Sequence, residues 1–458
     1  MKRLALALGI DRAVFFTLLG RGWNVGAGLF TLIFIAHFLT PKLQGYYYTF
    51  YSLIAIQVFA ELGLTFAIIQ FASHEMAKLS WLPDGTVSGN PEAKRRLQSL
   101  LHFAFSWFGV AALLMIAILI PVGLDFFDTD KMGAFAVHNV SIPWSFLVIF
   151  TAFNLFITAA AAILEGCGKV AQIAVLRLWQ SIFAIIMVWV VLSMGGHLYA
   201  LTAGSLMMGL IGFVWLWINY RVFFKDLMAH RTPLPGISWR REIWPFQWRI
   251  AVSWMSGYLI FQLLNPLLFK THGPVVAGQM GMSLQIIGAL NGAAMAWITT
   301  KTPKYGQLVA TNQRKELDAL FVRGLIQSFV FLLASAFTVW LLLLFLNQSD
   351  SPYATRVLPL PLFSLLCLVC LTNHIVFAEA AYLRAHKVEP FMWLSVINGL
   401  MVAILAILLI PPLGAAGAVY SYTAPALLIG LLGGTFIFFS KRKQWIHRSS
   451  VIALKDNK

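Results

Sequence analysis

Charged residues stand inside apolar runs long enough to cross a bilayer, Arg21 and Glu61 first among them. A charge at such a depth costs on the order of 2.5 to 3.5 kcal/mol to insert, so each needs a reason to be there. A guanidinium away from water grips an anion through paired N–H donors, and a carboxylate there binds a proton or a metal cation. At 1.5 Å per residue, Arg21 lies about 12 Å into its run and Glu61 about 16 Å into the next, from the same side, so the two are within reach of each other. Asn24 follows Arg21 by three residues and Gln57 precedes Glu61 by four, which places each charge on one helix face with an amide. Arg177 with Gln180, and Gln262 with Asn265, repeat the arrangement. Such polar stripes suit a watered cavity between helices. Two plainer readings stand beside this one: Arg21 and Glu61 form a structural ion pair that locks two helices, and Arg177, near the end of its run, snorkels to the interface.

Further along, Asn373, His374 and Glu379 share one run, where a titratable group facing a cavity would take up a coupling proton or cation. The alternatives are a histidine satisfied by packing and a glutamate that reaches the interface. Tyr46, Tyr47, Tyr48 and Tyr51 open the second run, where tyrosines form the interfacial belt or stack on sugar rings. Asn265-Pro266 ends or kinks the seventh run. The chain carries no phosphate-binding Gly-rich loop with Lys-Ser/Thr, no dinucleotide fingerprint and no HExxH zinc helix, so no cofactor or metal is expected. Cys167, Cys367 and Cys370 are too few and too deep in apolar sequence to make a disulfide framework.

The elements that must position these residues follow from composition. Sixty per cent of the 458 residues are hydrophobic and 11% charged, with mean hydropathy +0.80. The apolar runs are continuous rather than alternating, which selects helices over a barrel. Twelve spans are predicted, near 13–38, 47–72, 99–124, 143–164, 172–193, 198–220, 248–269, 275–298, 322–346, 357–380, 391–412 and 415–439. The first exceeds a signal-peptide core and is read as a retained span. With both termini cytoplasmic, Lys42, Lys131, Lys270 and Arg356 fall outside, Arg21 and Arg177 fall within spans, and the rest of the 33 Lys and Arg residues fall inside. The formal charge of +16 is therefore a signature of topology rather than of nucleic-acid binding. The outside loops are short, the longest running from Asp125 to Ile142, so no soluble domain interrupts the chain.

Laid over each other with a shift of about 230 residues, the halves show an internal repeat of the kind transporters carry. Lys94-Arg95-Arg96-Leu97 falls against Arg314-Lys315-Glu316-Leu317, and Leu43-Gln44-Gly45-Tyr46 against Val276-Ala277-Gly278-Gln279. The organisation expected is an N-lobe of spans 1–6 (1–220), a cytoplasmic linker (221–247), a C-lobe of spans 7–12 (248–440) and a basic cytoplasmic tail (441–458).

The segment Leu39-Thr40-Pro41-Lys42-Leu43-Gln44-Gly45-Tyr46, followed by Gln57-Val58-Phe59-Ala60-Glu61-Leu62-Gly63-Leu64 and Gln70-Phe71-Ala72-Ser73-His74-Glu75, resembles the opening two spans of the polysaccharide exporters of the multidrug/oligosaccharidyl-lipid/polysaccharide superfamily, particularly the O-antigen, Wzx-type flippases. Thr302-Pro303-Lys304 resembles the second-half counterpart. The resemblance implies an all-α polytopic membrane protein with two six-helix lobes around a central cavity. It further implies alternating access and movement of an undecaprenyl-diphosphate-linked oligosaccharide from the cytoplasmic to the periplasmic leaflet of a bacterial inner membrane. No bond is made or broken in that process, so no catalytic residue is expected. Arg21, then Arg177, are the candidates for the diphosphate, with Asn24, Gln57, Gln180, Gln262 and Asn265 as polar cavity residues. Glu61, His374 and Glu379 are the candidates for coupling to H+ or Na+. The implied partners are the lipid-linked oligosaccharide, membrane lipid, and glycan polymerase and chain-length machinery. Two other classes stay open: a small-molecule antiporter of the same superfamily, and a membrane glycan polymerase or ligase, for which the outside acids Asp125, Asp128, Asp130 and Asp350 lack a basic partner set. A scaffold for glycan synthesis is a third, and a peptidoglycan-precursor flippase is a near relative that commonly has more spans.

The topology is checked by cysteine labelling. With the three native cysteines replaced, Lys443→Cys and Lys304→Cys should resist an impermeant maleimide added to intact cells, and Ser351→Cys should react; the opposite pattern would invert the orientation.

Overall fold

The computed structural model describes residues 12–128, 135–229, 237–386 and 390–444. Residues 230–236 of the expected linker, 445–458 of the basic tail, and Asp130 and Lys131 of the longest outside loop lie outside the described residues. The chain divides into two compact units, Met1–Met255 and Ser256–Lys458.

In the first unit, α1 (Arg12–Phe38) packs on α7 (Val170–Ser193), α7 on α8 (Tyr199–Ala229), and α8 on α6 (Phe135–Gly166). The helix α6 in turn meets α5 (Pro91–Asp128) and α4 (Leu64–Met76), and short α2 (Pro41–Ile54) and α3 (Gln57–Glu61) complete the set. Local chemistry sets the boundaries. Thr40 accepts the amide of Leu43 at its side chain, and Pro41, which lacks an N–H, takes a first-turn position where none is needed.

The predicted second span is not one helix. Leu62 and Gly63 both adopt left-handed backbone, with φ of 47° and 65°, which ends α3 and starts α4 afresh. The bend across this break is 41°. A Cβ on Gly63 would come within 2.3 Å of Ile250 Cγ2, so close packing as well as φ demands glycine there. Tyr46, Tyr47 and Tyr48 are buried rather than at an interfacial belt, and among the four only Tyr51 is exposed. Tyr46 and Phe50 pack on Phe127, which also meets the buried Trp144. Packing against α5 and α6 overrides the belt rule because these rings find an apolar protein surface instead of headgroups.

A two-stranded antiparallel hairpin, β1 (Leu79–Trp81) and β2 (Val87–Gly89), joins α4 to α5 and was not anticipated from hydropathy. Its signal is Pro83-Asp84-Gly85. Asp84 accepts the amide and hydroxyl of Thr86, at 2.9 and 2.7 Å, while Gly85 supplies φ of 87°. These bonds, first the Thr86 amide, hold the Asp84 carboxyl below its ordinary pKa. Trp81 pins the hairpin down: its indole N–H donates to the carbonyl of Cys167 (2.9 Å), Lys169 Nζ lies 4.1 Å from its ring centre, and Phe223 packs beside it. Nearby, Arg96 bridges Glu75 (2.7 Å) and Glu242 (2.6 Å), and Lys94 pairs with Asp226 (2.9 Å). These pairs tie α4, α5, α8 and the π-turn Trp239–Ile243 together at one end of the unit.

In the second unit, α10 (Leu264–Thr299), α12 (Arg314–Gln348) and α13 (Leu360–Ala385) pack mutually, and α14 (Met392–Leu413) pairs with α15 (Ala415–Pro425). Short α11 (Thr302–Ala310) precedes α12, and α9 (Trp244–Phe261) carries the chain from the first unit into the second. Pro425 is followed by a π-helical stretch, Ala426–Gly433, which packs on α13. A proline removes one rung of the ladder, and the wider turn re-seats the bonds around it. The predicted kink of the seventh span lies at Gln262–Leu263, just ahead of Asn265-Pro266, because Pro266 sits in the first turn of α10, where its missing N–H costs nothing.

Ten helices among the described residues are long and apolar enough to cross a membrane, or eleven when the bent pair Pro41–Glu61 and Leu64–Met76 is one span. The sequence reading has twelve. The difference lies in one candidate of 61 residues, Ile250–Ala310. At 1.5 Å per residue it would be about 90 Å long, against about 30 Å of hydrocarbon. It contains the predicted seventh and eighth spans, divided at Gly273, whose φ of 82° and ψ of 176° are not helical, and at Pro274.

Two outcomes follow for stability. Gly63→Ala should lower the unfolding free energy by roughly 1–3 kcal/mol through overpacking and strain, whereas Gly28→Ala, with open space around the new methyl, should be neutral; thermal unfolding of both in detergent checks this. The second concerns Glu242. Burial raises its pKa, but the Ser238 amide (2.9 Å) and Arg96 outweigh that and hold it below the ordinary value. Its stabilising contribution is therefore full above the unfolded carboxylate pKa and lost as pH falls through the lower folded one. Protection of the Ser238 amide relative to its intrinsic exchange should be full above the unfolded carboxylate range and decline once pH falls below it, and Glu242→Gln should show weaker protection already at neutral pH.

Candidate functional site

The polar stripe of α1 is turned toward α7. Asn24 accepts a hydrogen bond from the Ser181 hydroxyl, and two turns on Trp189 donates to Thr31 Oγ1 (2.9 Å). Arg21 lies on the same helix with its side chain exposed. Glu61 is the last residue of α3, half-buried at the break, and forms no ion pair among the described residues. The structural lock considered for Arg21 and Glu61 is thus not made: the face of α1 that carries Asn24 is taken by α7.

Arg177 does not stand alone. Its guanidinium pairs with Glu165 at 2.6 Å, across the turn between α6 and α7, and remains half exposed. Twelve residues separate the two, so no helical spacing in the sequence announces the pair. Gln180 is buried and donates to the carbonyl of Met208 (2.9 Å), fastening α7 to α8 rather than lining a cavity. It is close enough to Gly212 that a Cβ there would meet Gln180 Nε2 at 2.6 Å. Gln57 is half-buried and lines an apolar cleft of about 540 Å3 with Phe59, Phe103, Trp107 and Met115. The Trp107 indole donates to the carbonyl of Ala60 (3.1 Å), one turn from the helix break.

In the second unit the polar residues gather on α13. His374 is fully buried between Ser328 Oγ (2.8 Å) and Asn291 Oδ1 (3.3 Å). Asn373 donates to the Tyr422 hydroxyl (2.9 Å). Glu379 is 4% exposed and receives one long hydrogen bond, from Thr435 Oγ1 at 3.4 Å, with no cation paired to it among the described residues. The interface reading of Glu379 fails, since the side chain is enclosed. A buried carboxylate without a countercharge is costly, and it becomes inexpensive only with a proton or a cation on it. Gln262 is half-buried at the α9–α10 break, and Asn265 is 3% exposed with its Oδ1 lacking a protein partner. The sequence reading missed Asn291, Ser328, Tyr422 and Thr435; a polar residue opposite another in a neighbouring span was the available signal.

Among the described residues no three His, Cys, Asp or Glu side chains gather to hold a metal, and the three cysteines are free. At the α6–α7 turn, burial pushes the Cys167 thiol up to about 12, which leaves it inert.

Comparison with solved structures places this architecture among known ones. The chain is similar to an inward-facing multidrug resistance MATE family transporter of the MOP superfamily, with TM-score 0.65 and 14% identity over 92% of this chain and 95% of that one. It is similar to a MOP superfamily transporter from Pyrococcus furiosus whose binding pocket has reverse polarity (TM-score 0.57, 16% identity, 94% and 95% covered). It is also similar to the lipid II flippase MurJ in an inward closed conformation (TM-score 0.59, 12% identity, 92% and 87% covered). At such identities the likeness is one of fold. No curated protein matches the chain in sequence. The family model described as polysaccharide biosynthesis protein matches residues 10–300, more than half of the chain, and the protein is accordingly a multi-pass membrane member of the polysaccharide biosynthesis protein family.

Proposed function

We propose that this protein moves an undecaprenyl-diphosphate-linked oligosaccharide from the cytoplasmic to the periplasmic leaflet of a bacterial inner membrane. The observation that carries the reading is the exposed guanidinium of Arg21, two turns into an apolar helix, in a chain of a polysaccharide biosynthesis family. A diphosphate in a low-dielectric passage needs a cationic partner with paired donors, and arginine presents them in a planar fork. Arg177 is the weaker candidate because Glu165 already neutralises it. The fold shared with a lipid II flippase supports a lipid-linked cargo. The polyprenyl tail stays in lipid, so only the polar head needs a passage, and alternation between two lobes supplies it without covalent chemistry.

Glu379 is the coupling site in this scheme. Buried with one weak donor, it takes up a proton or Na+ on one side and releases it on the other, and each charge moved across the potential supplies about 2.3 kcal/mol per 100 mV. Glu61, at the helix break, is the second candidate. His374 drops out, since both ring nitrogens are engaged by Ser328 and Asn291. The likeness to a multidrug transporter gives the antiporter reading its one support. In that reading Glu379 would still couple, but Arg21 would have no diphosphate to hold.

Reconstituted in liposomes with undecaprenyl-diphosphate oligosaccharide, the parent should accelerate exposure of the head group on the opposite leaflet. Arg21→Ala should lose at least tenfold of that rate, with Arg21→Lys in between, while Glu379→Gln should abolish the response to an imposed ion gradient. No acceleration by the folded parent over several glycans, with efflux of a cationic dye instead, would replace the flippase by the antiporter.

A further inference from the structure

Where α4 runs into the hairpin and α5 begins, the first unit holds a cavity of about 580 Å3 that none of the residues above explains. Gln70, Phe71, His74 and Lys78 line one side, and Glu92 and Arg96 the other, with Glu75 ion-paired to Arg96 at 2.7 Å. It lies toward the ends of both helices, on the face predicted to be cytoplasmic.

Its charge balance limits what it can hold. The Glu75–Arg96 pair is internally neutral, and Lys78 offsets Glu92, so the lining has no formal net charge with His74 neutral. A diphosphate would meet two carboxylates and one uncommitted cation, which is the wrong environment for a dianion. A lipid tail would have to desolvate four charges. What remains is hydrogen-bonding capacity: the side chains of Gln70, His74, Lys78 and Glu92 have no hydrogen-bond or ion-pair partner among the described residues, and they offer donors and acceptors together. Phe71 adds a flat apolar ring, the surface on which the C–H face of a sugar stacks. A hydroxyl-rich, uncharged ring satisfies all of these at once.

We propose that this basin is a saccharide subsite that takes an uncharged sugar of the lipid-linked cargo at the cytoplasmic face, away from the diphosphate. The identity of the sugar's carrier rests on the function proposed above; the sugar chemistry rests on the basin. Arg96 gives the site a consequence, because the same guanidinium holds Glu242 at 2.6 Å. A hydroxyl bonded to Arg96 or Glu75 redistributes that bridge and is felt in the π-turn Trp239–Ile243, which leads into α9.

The full chain in lipid nanodiscs, titrated with free glucose and with N-acetylglucosamine, tests this by saturation-transfer NMR and by hydrogen exchange. At least one sugar should bind and slow exchange in 70–78 and 92–96, and Glu92→Gln and Gln70→Ala, both at positions without structural bonds from their side chains, should weaken it at least tenfold. Gly28→Ala, with open space around the new methyl, should leave that binding unchanged. Absence of binding by both sugars, binding indifferent to Glu92→Gln and Gln70→Ala, or occupation of the basin by inorganic pyrophosphate or phosphoethanolamine instead would overturn it. Failure of leaflet transfer in the parent would remove the flippase reading alone, since the sugar titration does not depend on transport.

Discussion

Hydrocarbon offers no hydrogen bonds, so every backbone N–H and C=O that enters it must be satisfied within the protein. That constraint makes the chain helical and also makes each interruption of a helix informative, because an interruption strands groups that something else must satisfy. At the α3–α4 break the carbonyl of Ala60 is met by the Trp107 indole. After Pro425 the ladder re-forms as a π-stretch. At Gly273 the chain leaves helical geometry where the proline that follows has no N–H to strand. The α3–α4 break lies beside Glu61, the α9–α10 break at Gln262, and the π-stretch ends two residues before Thr435, so places that loosen the backbone carry polar side chains.

Side chains obey the same constraint less strictly, and the differences among them sort the candidates. Gln180, which donates to the Met208 carbonyl, and His374, held at both ring nitrogens, act as fasteners within their own helical units. Arg177 has found a carboxylate. Glu379 and Asn265 have not: one is a nearly enclosed acid with a single long hydrogen bond, the other an enclosed amide with an oxygen unmet by protein. Enclosed groups with unmet capacity are where a transported proton, cation or polar cargo gains most from binding. This is why the proposed coupling role is assigned to Glu379, where the sequence offered Glu61, His374 and Glu379 as candidates.

Outside the hydrocarbon, order comes from charge. Arg96 joins Glu75 to Glu242, Lys94 joins Asp226, and Trp81 under Lys169 clamps the hairpin to the α6–α7 turn. These contacts frame the polar basin between α4 and α5.

The membrane class, the helical fold, nearly all span positions and the family were legible in the sequence, because continuous apolar runs, basic connectors and the Gln57–Leu64 motif are local properties of the chain. Asn24, Arg177, Gln180 and His374 were legible as polar residues in apolar spans, but their partners were not. Ser181, Glu165, Met208, Ser328 and Asn291 lie on other helices, and hydropathy averages over the very side chains that decide such meetings. The hairpin was hidden for the opposite reason: a three-residue strand pair is too short for periodicity, and only its Pro-Asp-Gly turn betrays it. Tertiary packing alone decided that Tyr46, Tyr47 and Tyr48 are core, that Arg21 and Glu61 do not pair, and that Glu379 is enclosed without a countercharge, since burial and pairing depend on which helix faces lie against each other.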